Sequence, residues 1–292
     1  MPQTDMTLTI SSTVRPRTVH VEHCMGTAFS IDIRDTGNWS HAIHAVVSWL
    51  HHVDTVFSTY KPDSDISRIQ RGELLAADAH PDVVTVLDLC AEVQTITDGY
   101  FTTMRDHKID PTGLVKGWAI EQASDLLRRH GSRNHAVNGG GDMQLAGEAA
   151  PSRPWHVGIS DPRDRTQILT VITGRNIAVA TSGTSERGQH ITDPFTGIAA
   201  ASLGSATIAG PSVAYADAYA TAAFAMGTKA LPWTETIDGY EAMLVCLDDT
   251  TTTTAGWSRI SPPGQHGPGR LPDAAASSPA PRRSCRTTLS DS

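Results

Sequence analysis

Residues 211–227 read PSVAYADAYATAAFAMG, an apolar stretch at helical spacing that carries one carboxylate, Asp217, among Ala214, Tyr215, Ala216, Ala218 and Tyr219. Residues four apart on a helix share a face, so Asp217 and Thr221 line up. A carboxylate on so apolar a helix is rarely buried without a partner. Two partners fit. One is a hard divalent cation, which takes carboxylate and hydroxyl oxygens. The other is structural: Lys116, or a neighbouring segment that Asp217 would cap. Earlier in the chain, residues 106–121 read DHKIDPTGLVKGWAIE. They place an Asp, a Gly turn and a Lys just before a predicted helix, and a turn that opens a helix suits phosphate. The two stretches together predict a metal–phosphate site assembled from distant segments.

The chain has 292 residues, enough for one large domain or two of roughly 150 residues each. A hydrophobic content of 39% supports a core, and a net charge of −8 argues against a nucleic-acid surface, which needs clustered Lys and Arg. No apolar run reaches the roughly 18 residues of a membrane span. The first residues show neither a basic start with an apolar run nor a lipid-anchor pattern at Cys24, so a cytoplasmic location is expected. Cys24, Cys90, Cys246 and Cys285 are widely spaced, which indicates neither a zinc site nor a disulfide framework.

Period-two alternation over residues 15–34 predicts strands. A helix follows Ser40, with Ile43, Val46, Val47, Leu50, Val53 and Phe57 at helical spacing. Pro81 is placed to start a second helix, since its missing N–H costs nothing there; Val84, Leu87, Ala91 and Ile96 form its expected inner face. A helix over about 118–130 should stop at Gly131. Strands are expected at 135–138, 155–160, 168–173, 177–180 and 240–247. From Ser261 onward Pro, Ser, Ala, Gly and Arg dominate without apolar periodicity, which predicts a disordered tail. Helices and strands mix irregularly, favouring α+β over a doubly wound sheet.

Gly139-Gly140-Gly141-Asp142 follows a strand. As a lone glycine run it reads as a tight turn between two strands, with close approach to a ligand as the functional alternative. Residues 181–187, TSGTSER, form a hydroxyl-rich loop: a plain connection, or hydroxyls and amides offered to a phosphate. In 190–197, HITDPFTG, an Asp-Pro turn carries His190, either incidental or lining a site.

The order and spacing of these segments resemble the ApbE family of FAD:protein FMN transferases. The matching pieces are MGT at 25–27, FSTYKPDSDISRI at 57–69, TDGYF at 97–101, IDPTGLVKGWAIEQA at 109–123, VNGGGDMQLAGE at 137–148, WHVGISDP at 155–162, VATSGTSERGQHITDPFTG at 179–197 and ADAYATAAFAMG at 216–227. The resemblance implies a single α+β, T-fold-like domain over about 15–260 with an FAD cleft. It implies Mg²⁺-dependent transfer of the FMN moiety of FAD to a Thr hydroxyl of an acceptor protein, with release of AMP. Met25 and Tyr60 would contact FAD, Tyr100, Phe101 and Thr102 would line its adenine end, and Asp110 and Lys116 would bind it. Ile191 would touch the flavin nucleotide. The Gly113 carbonyl, Asp217 and Thr221 would ligate Mg²⁺. Two positions depart from the family pattern: Thr102 and Ala220 stand where members carry or sometimes carry acidic residues, and fewer carboxylates mean weaker Mg²⁺ binding.

These residues suit that chemistry. Pyrophosphate cleavage needs a cation bridging phosphate oxygens, Mg²⁺ prefers oxygen ligands, and Lys116 supplies a point charge. His190 is a neutral-pH base for the acceptor hydroxyl, or else an orienting residue. The competing readings are an FAD-storage protein without transfer activity and a Mg²⁺-dependent FAD pyrophosphatase.

Overall fold

The computed structural model describes residues 17–105, 108–183, 191–248 and 250–262. The expected tail from 263 and His190 lie outside these residues. Ser261, where that tail was expected to begin, is buried and its hydroxyl lies 2.6 Å from Thr170 Oγ1.

The chain runs β1 (Thr18–Cys24), β2 (Thr27–Ile33), α1 (Ser40–Phe57), α2 (Asp65–Gln70), α3 (Pro81–Ile96), β3 (Met104–Arg105), β4 (Lys108–Ile109), α4 (Thr112–Arg129), β5 (His135–Gly139), β6 (Asp142–Ala146), β7 (Trp155–Ser160), β8 (Ile168–Gly174), β9 (Ile177–Gly183), β10 (Leu203–Gly210), α5 (Val213–Met226), α6 (Ala230–Thr234), β11 (Glu241–Cys246), β12 (Thr251–Thr253) and α7 (Trp257–Ile260). An eight-stranded sheet has the order β1-β2-β5-β6-β9-β10-β11-β12, and its pairings are antiparallel. The α+β reading therefore holds.

Each face of the sheet buries its own apolar cluster. One cluster joins Phe29, Ile31, Val137 and Ile208 to α1, α3, α4 and α5. The other packs Leu145, Val179 and Met243 under the β7–β8 hairpin and Trp257. The alternation in β7, buried at Trp155, Val157 and Ile159 and exposed between, is the period-two pattern of a hairpin with one wet face.

Two sequence expectations shift. α3 starts at Pro81, but it buries Val83, Val86, Cys90 and Val93, not the face through Val84, Leu87 and Ala91. Val83-Val84, Val86-Leu87 and Leu89-Cys90 are adjacent apolar pairs, so two faces have near-equal periodicity and packing decides. α4 begins at Thr112, not near 118, so Gly113 and Lys116 lie in its first turns and the preceding turn is Asp110-Pro111. Its end is as expected: Gly131 has φ +94°, a conformation glycine adopts freely.

α4 and α5 press together at Gly117. A Cβ there would lie 2.8 Å from Asp217 Cβ and 3.0 Å from Ala214 Cα, so only glycine permits this approach.

Candidate functional site

Two hairpin turns open the same end of the sheet. In β1–β2, Cys24 pairs with Thr27 across Met25 (φ +50°) and Gly26 (φ +72°). In β5–β6, Gly139 pairs with Asp142 across Gly140 (φ +62°) and Gly141 (φ +100°). Both have the two-residue form with positive φ throughout. The tight-turn reading of the glycine run is therefore correct. The turns are neighbours, since a Cβ on Gly140 would come 3.1 Å from Thr27 Oγ1. Met25 holds a conformation that side-chain-bearing residues seldom take, so its position is set by the hairpin against a local cost.

The hairpin delivers Asp142 to the N-terminal end of α4. Asp142 is 2% exposed. Its Oδ1 accepts the Thr181 N–H at 3.0 Å, while its Oδ2 is ion-paired with the Lys116 ammonium. Lys116 also reaches Asp217 Oδ2 at 3.0 Å. Asp217, 6% exposed, accepts the Gly117 N–H at 2.9 Å. In a regular helix that N–H would serve the Gly113 carbonyl; here it points at the carboxylate. One turn along α5, Thr221 Oγ1 lies 3.4 Å from Ser182 Oγ at the end of β9.

The structural partner foreseen for Asp217, Lys116, is thus present. It does not settle the account, because two buried carboxylates share one ammonium. An uncompensated charge in a low-dielectric setting is costly, so a further cation is the natural complement. Asp217 and, one helical turn on, Thr221 carry oxygen donors of the kind Mg²⁺ takes.

An open recess of about 600 Å³ lies at the β1–β2 turn, lined by His23, Cys24, Met25, Gly26, Thr27, Ala28 and Asp54. A second recess of about 480 Å³ lies against Asp98 and Gly99, next to Tyr100. Tyr100 meets Phe195 edge to face at 4.8 Å. Tyr60 is 95% exposed. Asp110 Oδ1 accepts the Thr112 N–H at 3.0 Å and so caps the start of α4, and Thr102 Oγ1 accepts the Met104 N–H at 3.1 Å. Phe101 does not wall a cleft with its ring, which is buried; a Cβ on Gly113 would meet it at 3.1 Å. The apolar ring is worth more in the core than at a wet rim. Ile191 is buried as well, its carbonyl accepting the Ala200 N–H at 2.9 Å. The structure brings Lys116 and Asp217 into contact; Thr221 lies one turn further along α5 and Gly113 in the first turn of α4. Tyr60 stands apart on the surface after α1.

Sequence reasoning overlooked Asp142 and the specific hydroxyl of Ser182. The available signal for Asp142 was its place: an acid directly after a glycine hairpin, where a strand emerges at the sheet end.

Fold and cluster define an α+β protein with a lysine bridging two buried carboxylates at one end of an antiparallel sheet. The sequence profile of the ApbE family matches residues 25–105 and 102–244, and the chain belongs to this family. An FAD:protein FMN transferase of Vibrio cholerae is 31% identical over 131 residues, which cover 41% of this chain and 39% of that protein. The Rhodobacter capsulatus protein of the same name is 28% identical over 225 residues, 74% of this chain and 40% of its own length. The matched span is thus less than half of these relatives. Among solved structures, the flavin transferase ApbE of Vibrio cholerae superposes with a TM-score of 0.75 at 20% identity, covering 84% of this chain and 99% of that one. The ApbE protein of Thermotoga maritima gives 0.76 at 21% identity, with 84% and 99% covered. At these identities the likeness establishes the fold. No helix among the described residues is long and apolar enough to cross a membrane.

Proposed function

We propose that this chain is an FAD:protein FMN transferase. It would move the FMN moiety of FAD to a Thr hydroxyl of an acceptor protein and release AMP, with Mg²⁺ required. The observation that carries the reading is the Lys116–Asp142–Asp217 cluster, one ammonium between two buried carboxylates beside the β5–β6 turn, in a chain of this family.

The residues fit the ion. Asp217, Thr221 and the Gly113 carbonyl would hold Mg²⁺, which when bound would neutralise charge on the FAD phosphates. Lys116 would bind a phosphate oxygen as a point charge, and Asp142 would hold that ammonium in place. Met25 and Tyr60 would contact the flavin. Tyr100 and Thr102 would face the adenine end, Phe101 supporting that segment from the core, while Asp110 would orient the start of α4. Ile191 would act through its position beside the flavin. His190 would take the proton of the acceptor hydroxyl, since imidazole titrates near neutrality.

Incubation with FAD, Mg²⁺ and an acceptor protein tests the proposal. A flavin-labelled acceptor with stoichiometric AMP supports it. Free FMN with AMP makes the protein a pyrophosphatase, and no product from tightly bound FAD makes it a storage protein.

A further inference from the structure

Outside the Lys116–Asp142–Asp217 cluster, three metal-ligating side chains converge between α1 and the start of α3. His52 Nε2 lies 2.9 Å from Asp82 Oδ2, and His80 Nδ1 lies 3.4 Å from the same oxygen. The two imidazoles meet edge to face at 4.7 Å. One ligand atom from each of the three residues falls within 4.8 Å of the others. Two ligands about 2.05 Å from a tetrahedral ion stand roughly 3.3 Å apart, so the distances of 2.9 and 3.4 Å bracket that spacing. The His–His gap closes by rotation of half-exposed rings.

The frame behind these side chains is held in place. The His80 N–H donates to Asp65 Oδ2 at 2.7 Å, fixing the entry to α3. The His52 ring packs on Trp49 at 5.7 Å, and Trp49 donates its indole N–H to the Ala119 carbonyl at 3.1 Å. The ligands therefore come from two elements with anchored backbones.

We propose that His52, His80 and Asp82 bind one divalent transition-metal ion of the zinc class, with solvent water completing its coordination, and that the ion ties α1 to the N-terminus of α3. Two imidazoles with one carboxylate select zinc-like ions over Mg²⁺ or Ca²⁺. This separates the site from the oxygen donors around Asp217. Binding at Nδ1 of His80 displaces the helix-capping hydrogen bond it now accepts from the Asp82 N–H at 3.2 Å. Binding also needs deprotonated ligand nitrogens, so the metal competes with protons at both rings.

The test is a calorimetric titration of the metal-stripped full chain with zinc chloride, in excess Mg²⁺ to occupy the oxygen site. The variants are His52→Gln and His80→Asn. Asn caps helices well, so His80→Asn removes the imidazole while preserving the start of α3; circular dichroism checks both folds. The expected result is one zinc equivalent in the wild type that is weakened at least tenfold in each variant, with a zinc-dependent rise in melting temperature lost in both. Equal zinc stoichiometry and affinity in all three proteins, or no binding to the wild type, would overturn the proposal.

Discussion

The two ends of α4 hold carboxylates in opposite ways. Past its C-terminus, Asp35 is saturated. Its Oδ2 accepts the Ser132 hydroxyl at 3.1 Å and the Arg133 and Asn134 N–H groups at 2.7 and 2.8 Å, and its Oδ1 accepts the Asn134 side-chain amide at 2.6 Å. Burial alone would raise its pKa, but these donors outweigh it and hold the carboxyl below the usual range. At the N-terminal end, Asp142 and Asp217 lean on the single ammonium of Lys116. Neutral dipoles fixed by the backbone make a carboxylate structural. On the proposed function, a carboxylate pair left one positive charge short is where a cation would come and go.

The sharpest way to break this contrast is Asp217→Asn. Shape is kept and charge removed, so Mg²⁺-dependent turnover should fall on the order of 10³-fold, the scale of losing one preorganised electrostatic contact. Stability should change by less than about 1 kcal/mol, because Lys116 keeps Asp142 as its partner and a buried pair contributes little net. AMP release and thermal melting measure the two. Turnover within tenfold of wild type would end the metal assignment for Asp217.

The structural end carries the next effect. His135 is fully buried, between the Ser124 and Ser132 hydroxyls at 2.8 and 2.9 Å, and burial pushes its pKa down from 6.5 to about 4. The folded state therefore disfavours the charged form. Its contribution is complete above the unfolded value of 6.5 and is lost as pH falls from 6.5 to about 4, on the order of 3 kcal/mol in all. Urea unfolding across that window should show the decline, and His135→Gln should flatten it. An unchanged slope in the variant would show that His135 is not the group titrating.

The legibility of these two ends differed. Asp217 stood out because it is the lone acid of an alanine-rich helix, and its pairing with Lys116 or a cation was open to reason from that fact. Asp142 did not stand out. Its role depends on β5 and β6 lying beside α4, a register set by long-range packing that no local pattern encodes. Asp35 was equally silent, since its donors come from a turn far along the chain. Several strands and helices were readable from periodicity, but β10, buried at all eight positions, has no alternation to read, and the sheet order was not readable. The α3 face was misassigned because Val83-Val84, Val86-Leu87 and Leu89-Cys90 offer two near-equal stripes. Phe101 was placed on the adenine wall with its neighbours, but a fully apolar ring next to Gly113 goes to the core.

Asp35→Asn sharpens the contrast from the other side. The amide presents an N–H where the carboxylate accepted three donors at Oδ2 or one at Oδ1, so at least one donor loses its partner. The expected cost is about 2 kcal/mol of unfolding free energy, read by urea denaturation at neutral pH. Turnover per folded molecule should stay within twofold of wild type. A large loss of turnover with intact stability would mean that the two ends of α4 are coupled.

The smallest effect on the fold belongs to Tyr60, which separates surface recognition from both kinds of buried carboxylate. At 95% exposure its ring packs on almost nothing, so Tyr60→Ala should shift stability by less than about 0.5 kcal/mol. If the ring covers the flavin during turnover, removing it forfeits an aromatic contact of about 0.5–1.5 kcal/mol. That corresponds to a rise in the KM for FAD of roughly 2- to 13-fold, with kcat nearly unchanged because the contact is made equally in the ground and transition states. Tyr60→Phe should retain the wild-type KM, since the ring face and not the hydroxyl makes the contact. A KM for FAD in Tyr60→Ala equal to that of the wild type would remove Tyr60 from the flavin site and leave its exposure without a functional reason.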